Sequence, residues 1–286
     1  MTNDPIEREI ELKEYAGEDR VIPAAEYKAE MAAMMAKRGN AIQSLIPKLD
    51  ELTNGFEGGN LITISGPTKQ GKTTLSHTFT KNFESQGVTS VWFSFEVTPK
   101  ELFEKFAKTE VFYLPRRLKQ RSLEWLKERI EEAKLKYGIR VAFVDHLHYL
   151  VDMEKSKNMS VEIGSVIREL KTIAVELDIV IFLMAHMNKT KYNVMPTEVD
   201  LRDSSFVAQE SDKVFILWRE RKKSQGGIGY EFSGKTLLNV AIDRQTGSMG
   251  RIVPLVFKEN ELLPSDDRSY DDVVAEATGD DSYPRL

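Results

Sequence analysis

The sequence predicts an α/β fold, a mostly parallel twisted sheet with helices on both faces and an antiparallel strand extension at its C-terminal end. Three observations carry this. From Asn60 onward, short β-rich apolar runs alternate with longer amphipathic stretches. A glycine-bearing turn, Gly66 to Thr74, separates the first run from the first long amphipathic stretch. The last apolar runs follow one another with no helix between them. Alternating strands and helices need crossover connections, and crossovers give a parallel sheet covered on both faces.

The chain has 286 residues, of which 41% are apolar and 30% charged, enough to build a sizeable core and to exclude wholesale disorder. It has no cysteine, which excludes a disulfide framework, a thiol nucleophile and a cysteine-ligated zinc module. Apolar runs such as 179–185 fall far short of the roughly 20 residues that cross a bilayer, and the acidic N-terminal stretch is unlike a signal peptide. A soluble, cytoplasmic protein without a membrane partner is expected. The net charge of −5 is uneven: residues 1–22 carry −4 and residues 264–286 carry −5, so the middle stands at +4. That balance allows a nucleic-acid partner without arguing for one.

Residues 1–22 lack a helical apolar stripe and are expected to form a flexible acidic arm. Pro23 opens a helix over 24–38, closed by Gly39 and Asn40; Met31, Met34 and Met35 lie at helical spacing and need a surface, on this domain or on a neighbouring subunit. Strands are expected at 61–65, 90–95, 140–145, 179–186, 213–218, 237–242 and 252–257. Helices are expected at 72–84, 99–109, 122–137 and 160–177. Gly226, Gly227 and Gly229 mark a loop inside the hairpin-like extension. The organisation is thus an arm (1–22), a helix region (23–40), one domain (41–263) and an acidic tail (264–286).

Gly66-Pro67-Thr68-Lys69-Gln70-Gly71-Lys72-Thr73-Thr74 matches the P-loop spacing, glycine, four residues, then glycine, lysine and threonine. It follows a strand and opens a helix, so backbone N–H groups and the helix N-terminus can cradle phosphate. Lys72 would reach the β and γ phosphates of ATP, and the Thr73 hydroxyl would hold Mg²⁺. The buried run 140–145 ends in Asp145, where a second magnesium-shell ligand is needed, and carboxyl ends of parallel strands face the ligand crevice. The run 91–96 ends in Glu96 at the same edge, where a carboxylate can polarise the attacking water. His186 and then Asn188 sit at the tip of the next run, positioned to sense the γ-phosphate. His146 and His148 lack the further spaced ligands of a metal site and are expected to pack or hydrogen-bond beside the Asp145 strand.

The order of motifs around the P-loop, over about residues 42–264, resembles the RecA-like motor domain of hexameric replicative DNA helicases, the DnaB family with the phage primase-helicases and the mitochondrial helicase Twinkle. The entry segment 46–61, the stretch Ser94-Phe-Glu96-Val-Thr-Pro, the acid Asp145 and Ala185-His186-Met-Asn188 each look like the corresponding family segment. The resemblance implies that Glu96 is the catalytic glutamate. His186 follows the phage and mitochondrial members, where DnaB tends to have glutamine. Asp200-Leu-Arg202-Asp203-Ser-Ser205, running on to Asp212, resembles the signature after the DNA-binding loop. It implies that Arg202, Asp203 and Ser205 contact single-stranded DNA; relatives usually have glycine at the Ser205 position. Lys189 and Lys191 suit the same surface by charge, or belong to a solvated loop. Ala241-Ile-Asp-Arg244-Gln-Thr-Gly247 resembles the segment carrying an arginine finger, which implies that Arg244 completes a neighbour's ATP site. DnaB members add a lysine two residues earlier, where Ile242 stands here.

The resemblance therefore implies a homo-oligomer, a hexameric ring that spends ATP to move along single-stranded DNA, with 24–38 in the place of the linker helix that docks on the adjacent motor. Only about forty residues precede the motor, so neither a helical collar nor a zinc-bearing primase is expected within them. The acidic tail either recruits a primase or polymerase or simply aids solubility. Two other readings stay open: a RecA- or KaiC-like ATPase that assembles without unwinding, and a non-motor assembly or loader protein.

Overall fold

The computed structural model describes residues 4–17, 19–37, 40–105, 111–119, 122–151, 159–187, 195–197, 200, 204–223 and 230–265. The chain divides into two compact units, Met1–Asn40 and Ala41–Leu286. The first contains α1 (Pro5–Lys13) and α2 (Ala24–Lys37). Helix α1 lies inside the segment expected to be a flexible arm, and it buries no residue. Its signals are local: the Asp4 side chain caps Ile6 N at 2.9 Å, Pro5 opens the first turn, and Glu9 pairs with Lys13 one turn on.

The second unit begins with the short α3 (Pro47–Thr53) and then runs β1 (Leu61–Ser65), α4 (Lys72–Glu84), β2 (Ser90–Ser94), α5 (Pro99–Lys105) and β3 (Phe112–Tyr113). It continues through α6 (Leu123–Tyr137), β4 (Val141–Asp145), a 3-10 turn (Leu147–Tyr149), α7 (Met159–Glu176), β5 (Val180–Met184) and α8 (Ser204–Glu210). The last strands are β6 (Lys213–Lys223), β7 (Tyr230–Asp243), β8 (Arg251–Lys258) and β9 (Glu261–Pro264). They form one sheet in the order β3-β2-β4-β5-β1-β6-β7-β8-β9, parallel from β3 to β6 and antiparallel from β6 to β9. The expected mostly parallel sheet with an antiparallel extension is what forms.

Strands β1, β2, β4 and β5 are buried along their whole length, as a sheet covered on both faces requires. Alternate residues serve opposite cores. Ala142, Val144, Ile181 and Leu183 pack with Leu126, Ile130, Ile167 and Leu170 of α6 and α7. Val141, Phe143, Val180 and Phe182 pack with Leu75, Phe79 and Phe83, one turn apart on α4. Phe56, Phe79 and Phe143 each lie 5.0–5.5 Å from the Phe182 ring. Helix α6 is delimited by Ser122, which accepts from Trp125 N at 3.2 Å, and by Gly138 in the left-handed region. At the far end of the sheet, Lys171 Nζ reaches Gly59 O and the Asp212 carboxylate, which also accepts Leu61 N at 2.7 Å; α7, β1 and the turn into β6 are tied together there. No helix among the described residues is long and apolar enough to cross a membrane.

Candidate active site

Register brings the site together. Ser94, Asp145, Met184 and Ile64 are lateral neighbours across β2, β4, β5 and β1, so the chain leaving each strand emerges along one sheet edge. Glu96, His146, His186 and the Gly66–Thr74 turn all follow those strand ends. Gly66 has φ 143°, and a Cβ there would lie 2.5 Å from Leu217 O of the adjacent strand, so this position needs glycine. Gly71, at φ 100°, caps α4 without a side-chain hydrogen bond. The first N–H groups of the helix are thereby left for an anion.

Lys72 is buried, and its ammonium donates to Gly66 O at 2.8 Å and Pro67 O at 3.1 Å. Burial pushes its pKa down, while the nearby Asp145 and Glu96 carboxylates pull it back up. The Thr73 hydroxyl donates to the buried Asp145 at 3.2 Å. A hydroxyl and a carboxylate this close beside a phosphate cradle are the donor set a magnesium ion takes, so the residues fit Mg²⁺ bound with a nucleotide. Glu96 is 43% exposed, open to solvent where Asp145 is not. Its Oε2 lies 3.9 Å from His146 Nε2 and 4.0 Å from His186 Nε2. The two imidazole rings meet at 4.2 Å. Burial first, then His186, His148 and Lys72, hold the His146 pKa down at about 3, so this ring is neutral near pH 7.

Two features of the site were not anticipated from the sequence. Gln70 is buried, and its side-chain oxygen accepts the backbone N–H of Arg219 on β6. The Arg219 guanidinium lies 4.7 Å from the Phe232 ring and 5.0 Å from the Phe257 ring, stacked across β6, β7 and β8. Arginine and aromatics spread over three strands leave no linear signal. The second feature is an ion pair, Lys213 with Asp243 at 2.7 Å, both side chains fully buried, with Lys213 also donating to Thr53 O. Asp243 Oδ1 accepts from Gln245 N and Thr246 N, which shapes the turn that bears Arg244. An acid just before Arg244-Gln-Thr-Gly, and a lysine opening an apolar strand, were the available hints.

Arg244 does not join the P-loop of its own chain. Asp243 pairs with Lys213, which lies beside Ile62 near the start of β1, whereas the P-loop leaves from Ser65 at the other end, roughly 10 Å along the strand. The exposed Arg244 donates to Ala208 O and Gln209 O at the end of α8. Ser205 belongs to that helix. Asn188, Lys189, Lys191, Arg202 and Asp203 lie outside the described residues.

A glycine-bearing turn between β1 and α4, the Thr73–Asp145 hydroxyl–carboxylate pair beside it and Glu96 beyond the next strand end are arranged as in the RecA-like α/β class of nucleotide-binding folds. Residues 112–262, more than half of the chain, match the DnaB-like helicase C terminal domain, and residues 42–111 match a KaiC ATPase domain. The chain belongs to the DnaB-like helicase C-terminal domain family. Among its relatives, the replicative DNA helicase DnaB of Leifsonia xyli subsp. xyli is 22% identical over 60% of this chain and 45% of its own length. A probable replicative DNA helicase of Trieres chinensis is 25% identical over 71% and 52%, and the replicative DNA helicase DnaC of Bacillus subtilis 22% identical over 79% and 56%. The chain thus spans about half the length of these relatives. In fold it is similar to a solved ATPase domain, with TM-score 0.71 at 19% identity over 85% of this chain and 99% of that one. It is also similar to a DnaB-like replicative helicase described with its primase interactions, with TM-score 0.66 at 20% identity over 91% and 70%.

Proposed function

We propose that this chain is the ATP-hydrolysing motor of a replicative DNA helicase, a cytoplasmic ring of identical subunits, hexameric as the family resemblance implies, that moves along single-stranded DNA. One observation carries the shared-site part of this reading: the phosphate cradle and Arg244 stand at opposite edges of the same sheet, so a finger at Arg244 acts only on a neighbouring subunit. Lys72 and the P-loop N–H groups bind the phosphates of ATP. Thr73 and Asp145 hold Mg²⁺, which supplies charge neutralisation on the phosphate oxygens when bound. Glu96 orients the attacking water and takes its proton, and Arg244 of the adjacent subunit stabilises charge that develops on the γ-phosphate. His186 and Asn188 report loss of that phosphate to the loop carrying Lys189 and Lys191, and Arg202, Asp203 and Ser205 hold the DNA. Grip on phosphates makes binding sequence-tolerant and weaker in salt. The segment 23–40 acts as the linker that tiles the ring, and the acidic tail 264–286 is the surface offered to a primase or polymerase.

The test is subunit mixing. Lys72→Ala and Arg244→Ala assemblies should each lose DNA-stimulated ATP hydrolysis by a factor of about 10³ or more. Mixed assemblies should regain a measurable fraction, because some interfaces then pair an intact P-loop with an intact finger. Mixtures as inactive as their parents would remove the shared site. Unwinding of a forked duplex separates a helicase from an ATPase that assembles without strand separation.

A further inference from the structure

Among the described residues, His146 is a buried imidazole at the site that the proposed function leaves without a task. It follows Asp145 directly, just past the end of β4, the strand between those that deliver Glu96 and His186. With Glu96 and His186 it brings possible ligand atoms within 4.8 Å of one another, a spacing that would suit a cation. The hydrogen bonding decides against ligation. His146 Nδ1 accepts the backbone N–H of His148 at 3.3 Å, so Nδ1 carries a lone pair and the ring proton belongs on Nε2. A ligating histidine needs the reverse, a lone pair toward the metal and a proton on the other nitrogen. The nitrogen 3.9 Å from Glu96 Oε2 is therefore a donor facing a carboxylate.

We infer that His146 is a positioning residue for Glu96: its Nε2–H holds the Glu96 carboxylate in the orientation that receives the proton of the attacking water. This rests on the reading of Glu96 as the water-orienting group. Glu96 is partly exposed and hangs beyond its strand end, so without a donor its carboxylate samples several rotamers. The His146 ring is buried and held through Nδ1, making it a fixed reference for a movable partner. At 3.9 Å the contact is long for a hydrogen bond, and catalytic contacts of this kind tighten when substrate binds.

The experiment compares His146→Leu, His146→Asn and His146→Gln with wild type in DNA-stimulated ATP hydrolysis, with thermal melts and fluorescent-ATP binding on each. Glutamine carries an N–H near the position of Nε2; asparagine carries one only near Nδ1, and leucine none. Leucine and asparagine should lower kcat by about tenfold or more with KM for ATP within about twofold, and glutamine should recover most of that loss. If the leucine protein does not fold, the asparagine–glutamine comparison carries the result. In single turnover, adding His146→Leu to Glu96→Gln should slow the reaction no further, because the donor has then lost its carboxylate. Glutamine as poor as leucine, or a full additional loss in the Glu96→Gln background, overturns the inference and leaves the ATPase reading standing. A wild-type protein that hydrolyses no ATP overturns both.

Discussion

Strands β2, β4, β5 and β1 deliver Glu96, Asp145, His186 and the P-loop to one sheet edge, whereas the antiparallel run β6 to β9 works at both edges. At the P-loop edge it braces: Arg219 N–H meets Gln70, and Leu262 lies 3.6 Å from where a Cβ on Gly71 would stand. At the opposite edge it presents Arg244 on a turn anchored by Lys213 and Asp243. The difference follows from connectivity. Crossovers return every parallel strand in the same direction, so all of its C-terminal loops share an edge; a hairpin reverses the chain and carries its end back to where the neighbouring strand began. Adding antiparallel strands is therefore how this fold presents a residue away from the edge that carries its P-loop.

The sharpest way to break this comparison is at the seam between the halves. Lys213→Met leaves Asp243 buried without its counter-charge, which should lower unfolding free energy by about 3–5 kcal/mol in urea titrations. ATP affinity of the folded protein should stay within about twofold, since the cradle lies at the other edge. A stability loss below about 1 kcal/mol would mean that the pair does not hold the Arg244 turn. The complementary change, Gly66→Ala, forces a Cβ against Leu217 O at a backbone angle side chains avoid. It should cost about 1–3 kcal/mol of stability and weaken ATP binding at least about tenfold. Unchanged ATP binding would show that the cradle tolerates a displaced β6.

The smallest effect is a pH dependence confined to the parallel half. The folded His146 pKa, about 3, lies below the ordinary 6.5. Between those values the unfolded chain takes up a proton that the folded chain refuses, so this contribution to stability is complete above about pH 6.5 and is lost as pH falls toward 3. His146→Gln should therefore show a Tm drop between about pH 7.5 and pH 5 that is a few degrees smaller than in wild type. Equal drops in the two proteins would assign the acid sensitivity to other groups.

Elements whose pattern is local were readable to within a residue or two. The run 61–65 and the helix 72–84 coincide with β1 and α4, because the P-loop punctuates both. Strands β2, β4 and β5 are each shorter than expected by one to three residues: apolar character runs past the ladder at Phe95 and Ala185, while β4 begins one residue later, after the charged Arg140. The reverse happens in the hairpin. β6 runs on through Arg219-Glu-Arg-Lys-Lys and β7 begins at Tyr230, well before the apolar run, because cross-strand pairing sustains polar strand ends that hydrophobic pattern cannot register. The short α3, α8, β3 and β9 carry too few residues for any periodicity. The gathering of Lys72, Thr73, Asp145 and Glu96 at one sheet edge was legible because each sits at a fixed place relative to a strand end. Gln70 with Arg219, and Lys213 with Asp243, were not; each pair is 30 or more residues apart and meets only through the sheet.

By itself, the sequence determined the alternation of strand and helix, the phosphate cradle and the acids at strand ends, since these depend on contacts within one turn or one strand. Only the tertiary structure decided that β4 lies between β2 and β5, bringing Glu96, His146 and His186 from distant segments around one carboxylate oxygen. It also decided that Arg244 leaves by the other edge. Strand order and direction are set by which faces pack together once the crossovers close, a competition among long-range contacts that no local window of residues contains.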